Sequence, residues 1–251
     1  LARWRKTLLR SAAWAVGIYL VVVVAMFLLQ RRLLYFPSHD KPQGSLTPWR
    51  TQDRLIGYCR EVARPDTIWL MMHGNAGQAA DRDYVLHLLA DNDAFYVLEY
   101  PGYGSREGQP TQRGINAAAK EAFQVLRKAY PNTPICVLGE SLGSGPACML
   151  TCEPSPPEKV ILAVPFDSLR NVVAHHFSFL PVQLLLLDQW DNVQALKGYA
   201  GKVEILAADN DEVIPPLHAE ALARQVPNSQ FIRIPGGHNE WSSTRSFAIR
   251  K

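Results

Sequence analysis

Cysteine is scarce in this sequence, and its spacing suits neither of the roles by which it usually organises a fold. The four are Cys59, Cys136, Cys148 and Cys152. They have no zinc-ligand spacing and no disulfide framework, so core packing is the role expected of all four. Acidic residues are absent from the first 32 positions, where Arg3, Arg5, Lys6, Arg10, Arg31 and Arg32 stand. The rest of the chain then holds 20 Lys and Arg against 23 Asp and Glu, and with no basic excess it offers nothing to a nucleic acid. Internal repeats and low-complexity tracts are also missing, which excludes solenoids and disordered arrays.

Charge of either sign is lacking from Ser11 to Gln30. About 20 such residues are enough to cross a hydrocarbon core of roughly 30 Å as a helix. A cleaved signal peptide is the rival, but Gln30-Arg31-Arg32 follows Leu28-Leu29 where a small-residue cleavage site would be needed. The segment therefore predicts a single transmembrane anchor over residues 1–32, with residues 33–251 as the second unit. More basic residues precede the span than closely follow it, which places the short N-terminus in the cytoplasm and the body on the non-cytoplasmic side.

The 251 residues are 47% hydrophobic, sufficient for one good-sized core. Leu33 to Trp49 reads as a linker lying against that core. Short apolar runs predict strands at Leu55 to Val62, Thr67 to Met72, Ala94 to Glu99, Ile135 to Leu138, Val160 to Val164, Val203 to Ala207 and Phe231 to Ile234. Helical patterns fall at Tyr84 to Leu89 and Gly114 to Ala129. Alternation at this spacing indicates an α/β fold with a mainly parallel, doubly wound sheet.

The stretch Gly139-Glu140-Ser141-Leu142-Gly143 lies between an apolar strand and a helical segment, which sets Ser141 on a sharp turn. Side chains two residues before and after a serine at the tip of such a turn would collide, and glycine removes them. A G-x-S-x-G match arises by chance in roughly one chain in ten of this length, so context must carry the reading. A nucleophilic serine needs a base, and the base an orienting acid. His238 follows the last strand in Pro235-Gly236-Gly237-His238, and Asp209 and Asp211 follow the strand before it. All three loops sit at carboxyl ends of strands, where open α/β sheets bind ligands.

With these pieces in place, the chain from about Leu33 onward resembles the single-domain serine hydrolases of the α/β-hydrolase fold, the membrane-anchored group with a short cap in particular. The resemblance is carried by His73-Gly74-Asn75-Ala76-Gly77, Tyr100-Pro101-Gly102-Tyr103-Gly104, the serine turn, Asp211-Glu212-Val213-Ile214-Pro215 and Gly236-Gly237-His238-Asn239, in that order. It implies Ser141 as nucleophile, His238 as general base, Asp211 as orienting acid, and the backbone amides of Asn75 and Leu142 as the oxyanion hole. The register of Asp-x-x-Ile-Pro favours Asp211 over Asp209. Two departures are Ala208, where a glycine is common, and a short stretch after His238 that leaves little room for the usual C-terminal helix.

The remaining polar candidates receive structural roles: His73 holds the oxyanion turn, Glu140 positions the serine turn through hydrogen bonds, and His175, His176 and His218 are solvated or cap residues. Residues 169–200 form either a small apolar cap or an ordinary sheet-covering helix with a loop. The expected activity is hydrolysis of a carboxylic ester or thioester of an acyl, lipid-like or small-molecule substrate, with no metal or organic cofactor. A serine peptidase on the same fold and a non-catalytic membrane-bound interaction protein are the alternatives.

Overall fold

A computed structural model describes residues 2–243 and 247–251. The charge-free run lies within one continuous helix, α1 (Ala2–Leu34), whose last bond is Tyr35 N to Arg31 O at 2.9 Å. It is long and apolar enough to cross a membrane, and it extends two residues past the boundary expected at 32. The stretch read as a linker then contributes structure of its own. It contains β1 (Phe36–Pro37) and the start of β2 (Thr47–Thr51), and β2 turns into β3 (Arg54–Arg60). The two-residue turn between them takes positive φ at Gln52 (48°) and Asp53 (63°), the twist that a tight hairpin demands.

The chain continues through β4 (Thr67–Met72), β5 (Ala76–Gly77), β6 (Asp93–Leu98), α2 (Gln112–Ala129), β7 (Ile135–Glu140), α3 (Ser144–Met149) and β8 (Lys159–Ala163). Three helices follow, α4 (Leu169–His176), α5 (Val182–Leu185) and α6 (Asn192–Leu196). The last elements are β9 (Lys202–Ala208), α7 (Pro216–Gln225) and β10 (Ser229–Ile234). Eight strands form one sheet in the order β2-β3-β6-β4-β7-β8-β9-β10, antiparallel at β2/β3 and β3/β6 and parallel elsewhere. β1 and β5 pair separately. This is the fold class that the resemblance implies.

The two faces of the sheet are covered differently. Ile68, Leu70 and Met72 of β4 face a core built with the apolar stripe of α2, which includes Ile115, Ala119, Phe123 and Leu126, and with α3, α6 and α7. Thr111 starts α2 cleanly, its Oγ accepting the Gly114 N–H at 3.0 Å. On the other face Trp69 and Met71 pack against Val85, Leu88, Trp241, Phe247 and Ile249. The helix expected at Tyr84 to Leu89 is a 3-10 helix, Asp83–Leu88. After His238 the described residues contain a single 3-10 turn, His238–Glu240, and Ile249 is tied down by its N–H to Leu88 O at 2.9 Å. Cys59, Cys136 and Cys148 are buried as expected, whereas Cys152 is exposed.

A thin cover depends heavily on each side chain in it. Ile249→Ala should lower unfolding stability by about 2 to 5 kcal/mol, as deletion of a fully buried isoleucine does. Urea denaturation in detergent measures it, and a loss below about 0.5 kcal/mol would show that this segment does not close the core.

Candidate active site

Ser141 sits directly after β7 with φ of +52°, a left-handed conformation that a non-glycine residue adopts only when its surroundings impose it. The surroundings are close-packed. A Cβ on Gly143 would lie 2.0 Å from Met72 O and 2.6 Å from His73 O, and one on Gly139 would lie 2.7 Å from both Ala147 Cβ and Ser144 Cα. Both glycines are therefore required by contact between the turn, the end of β4 and α3.

Two further loops meet Ser141. His238 Nε2 lies 2.9 Å from Ser141 Oγ, and His238 Nδ1 lies 2.7 Å from Asp211 Oδ2. The other carboxylate oxygen, Oδ1, accepts the N–H groups of Val213 (2.9 Å) and Ile214 (2.7 Å), so the Asp211 side chain is held by its own loop. The loops are joined by Asp209 N to Ile234 O and Asn210 N to Gly236 O, each 3.0 Å. Asp209 points elsewhere: its side chain is exposed and paired with Arg233 at 2.7 Å. The structure thus brings Ser141, Asp211 and His238 together and leaves Asp209 out.

Asn75 and Leu142 line one small cavity with Ser141. This cavity, about 90 Å³, is walled mainly by apolar side chains, among them Leu34, Phe166, Val172 and Val213. The peptide between Gly74 and Asn75 is fixed from its carbonyl side, where Gly74 O lies 2.8 Å from His73 Nδ1. Asn75 O accepts both Phe36 N–H (2.9 Å) and Tyr103 Oη (2.6 Å), and Asn75 Nδ2 donates to Leu34 O at 2.9 Å. Burial pushes the pKa of His73 down, partly opposed by Glu99. The contact of His73 with Gly74 O requires a proton on Nδ1, since a carbonyl oxygen only accepts.

Glu140 is buried and fully engaged. Oε2 accepts Gly74 N–H (3.0 Å), and Oε1 accepts Tyr84 Oη (2.7 Å) and Trp241 Nε1 (2.8 Å), with Arg82 Nη1 at 3.7 Å from Oε2. Burial alone would raise its pKa, but the Arg82 charge and these three hydrogen bonds outweigh it and hold the carboxyl below its ordinary value. Arg82, Tyr84 and Trp241 carry no motif of their own, so their part is visible only in three dimensions. His218 departs from expectation: it is buried in α7, with Nδ1 2.8 Å from Asp167 Oδ1. Burial acts to raise the Asp167 carboxyl, but hydrogen bonds from His218, Asn171 and Ser168 bring it below the usual value. His175 and His176 lie at the exposed end of α4. Among the described residues no cluster of His, Cys, Asp or Glu is arranged to hold a metal ion.

No protein-family model matches the chain. Over 236 residues it is 30% identical to an uncharacterized protein of Mycobacterium tuberculosis, covering 87% of this chain and 84% of that protein. It is 26% identical over 272 residues to the lysophosphatidylserine lipase ABHD12 of Danio rerio, covering 84% of this chain and 70% of the lipase. Among solved structures, the Pyrococcus furiosus esterase Pf2001 superposes with a TM-score of 0.61 over 83% of this chain and 94% of its own, at 14% identity.

Removal of the charge on Glu140 should unbalance the serine turn. Glu140→Gln leaves Arg82 buried without a counter-charge and should cost about 3 to 5 kcal/mol at neutral pH, by analogy with other broken buried pairs. The carboxyl's folded pKa lies below its unfolded one, so its contribution is complete above the unfolded value of about 4.3 and is lost as pH falls through the folded value. Denaturation of both proteins from pH 7.5 to pH 3.5 should therefore show a constant gap that narrows only in acid. A gap independent of pH throughout would contradict the assignment of an ionised Glu140.

Proposed function

Because this chain belongs to the α/β-hydrolase family, we propose that it is a serine hydrolase that cleaves carboxylic esters or thioesters through an acyl-enzyme. The observation that carries this reading is the continuous hydrogen-bonded line Asp211–His238–Ser141 ending in an apolar cavity. His238 Nε2 takes the proton of Ser141 Oγ as the oxygen attacks the carbonyl carbon. The negative charge that develops on the carbonyl oxygen is received by the backbone amides of Asn75 and Leu142, residues that line the same cavity as Ser141. His238 then returns the proton to the departing alcohol or thiol. Water, deprotonated by the same nitrogen, releases the acid. Asp211 keeps the proton of neutral His238 on Nδ1 and stabilises the imidazolium.

The apolar walls around Ser141 suit an acyl chain, and an esterase and a lysophosphatidylserine lipase among the similar proteins point the same way. α1 anchors the protein in the membrane as a single span, with residues 33–251 as the hydrolase unit on the non-cytoplasmic side. The residues from 169 to 200 act as a cap over the cavity, to which α4 contributes Leu169 and Val172.

A fluorophosphonate should label the full chain in detergent, and Ser141→Ala should abolish both labelling and turnover of p-nitrophenyl esters. On the same esters Asp211→Asn should lower kcat by about ten-thousand-fold, whereas Asp209→Asn should stay within a few-fold of wild type. Equal losses would reassign the acid. Turnover of aminoacyl anilides with negligible turnover of esters would replace the esterase reading with a peptidase.

A further inference from the structure

We propose that Phe177 to Leu187, the segment containing α5, lies in the hydrocarbon of the bilayer beside α1, so that two elements meet the lipid and the cavity at Ser141 opens between them. The proposal rests on reading α1 as a membrane span, and its partner is the acyl region of a lipid bilayer.

Charge marks the level of the membrane surface. Neither Ser11 to Gln30 nor Phe177 to Leu187 contains an Asp, Glu, Lys or Arg, and the residues that end the two runs, Arg31 and Asp188, form an ion pair at 3.1 Å. Asp188 is buried and also accepts Tyr35 Oη and the Gln112 N–H, each at 3.0 Å, which fixes this boundary to the body of the protein. On the far side of the pair the segment leaves large apolar groups uncovered: Leu184 is 85% exposed, Phe179 58% and Leu187 50%. They lie in the segment that contacts α1 through Tyr19 and Gln30, and α1 itself exposes large apolar side chains.

The backbone argues the same way independently. In hydrocarbon every peptide N–H and C=O must find a partner within the protein. Here α1 supplies partners from the two polar side chains that interrupt its apolar run on this side. Tyr19 Oη donates to Phe179 O (3.0 Å), Gln30 Nε2 donates to Leu185 O (3.2 Å), and Gln30 Oε1 accepts Leu187 N–H (2.8 Å). Turns within the segment satisfy further groups, through Leu180 N to Phe177 O and Leu184 N to Pro181 O at 2.9 Å and Leu186 N to Val182 O at 3.0 Å. Water would have made such bonds dispensable.

The depth follows from helix geometry. From Tyr19 to Gln30 a rise of 1.5 Å per residue gives about 16 Å, roughly half of a 30 Å hydrocarbon core, so the segment spans about one leaflet. Between α1 and the segment lies a second small apolar cavity, about 50 Å³, bordered by Met26, Gln30, Val173 and Leu185. Its neighbours in the chain, Leu34 and Val172, line the cavity at Ser141. An acyl chain sliding along α1 reaches Ser141 from the lipid.

Labelling the full chain tests this directly. Leu184→Cys and, separately, Val21→Cys would each carry a nitrobenzoxadiazole probe in a Cys152→Ser background, in phosphatidylcholine vesicles. Both probes should be quenched by lipids bearing a nitroxide at mid-chain and protected from aqueous iodide. Lack of lipid quenching at Val21 would remove the span, and the proposal with it. Lipid quenching at Val21 combined with iodide access at Leu184, or with protection of Leu184 from both quenchers as beneath a second copy of the chain, would overturn the proposal while leaving the anchor intact. In a second measurement Leu184→Asp should lower kcat/KM for a long-chain ester presented in vesicles by about tenfold or more, since aspartate is disfavoured in hydrocarbon. A water-soluble short ester should be turned over as by wild type. Equal effects on both esters, or none on either, would count against insertion and would leave the hydrolase reading untouched.

Discussion

A buried carboxylate coordinates the candidate site. Glu140 precedes Ser141 in the chain, and its four partners come from three separate segments: Gly74 from the turn after β4, Arg82 and Tyr84 from the 3-10 region, and Trp241 from the stretch after His238. Such an arrangement stabilises only when complete, because a buried charge with a partner removed costs more than the pair contributes. Complete, it holds the serine turn, the Asn75 turn and the histidine loop in one register. The line from Asp211 through His238 to Ser141 is thereby held between fixed loops.

Steric constraint does the rest. The left-handed backbone of Ser141 is possible because β7 delivers the chain into a space where neither Gly139 nor Gly143 has a side chain, and the close approach of Gly143 to the carbonyls of Met72 and His73 leaves no room for one. Strain at one residue is thereby carried by packing across three elements, β4, β7 and α3. The same close approach brings Leu142 and Asn75 to one cavity. Position and electrostatics at the site have a common origin in the contact between β4 and β7, the two central strands whose residues are all buried.

What could be read from the sequence follows from how local its causes are. The inner parallel strands β4, β6, β7 and β8 are apolar runs because helices or loops cover both faces, and such runs announce themselves. Ser141 and His238 stand in short glycine-bearing loops at strand ends and are legible there, whereas Asp211 shares its loop with Asp209 and is singled out only by the register that the resemblance supplies. β2 was missed because it is an edge strand with Pro48 and mostly exposed residues, so it lacks the apolar run that marked the others. The 3-10 geometry at Asp83–Leu88 and the burial of His218 depend on partners distant in sequence, Glu140 for Tyr84 and Asp167 for His218. The exposure of Cys152 one turn from buried Cys148 reflects where the short α3 ends, which no spacing reveals.

The apolar helix α1 presents the least expected relation. A linker that merely lay against the core would leave the site indifferent to where α1 lies. Instead the helix end enters the site: Leu34 lines the cavity, its carbonyl accepts from Asn75 Nδ2, and β1 immediately beyond it pairs with β5, which starts at the residue after Asn75. Any displacement of α1 from the body must break these bonds together with the Arg31–Asp188 pair and the two bonds of Gln30. Helix and body are thus mechanically coupled at the turn that presents the Asn75 amide. The position of the cavity relative to α1 is then set by the fold itself, at the junction where α1 meets the body.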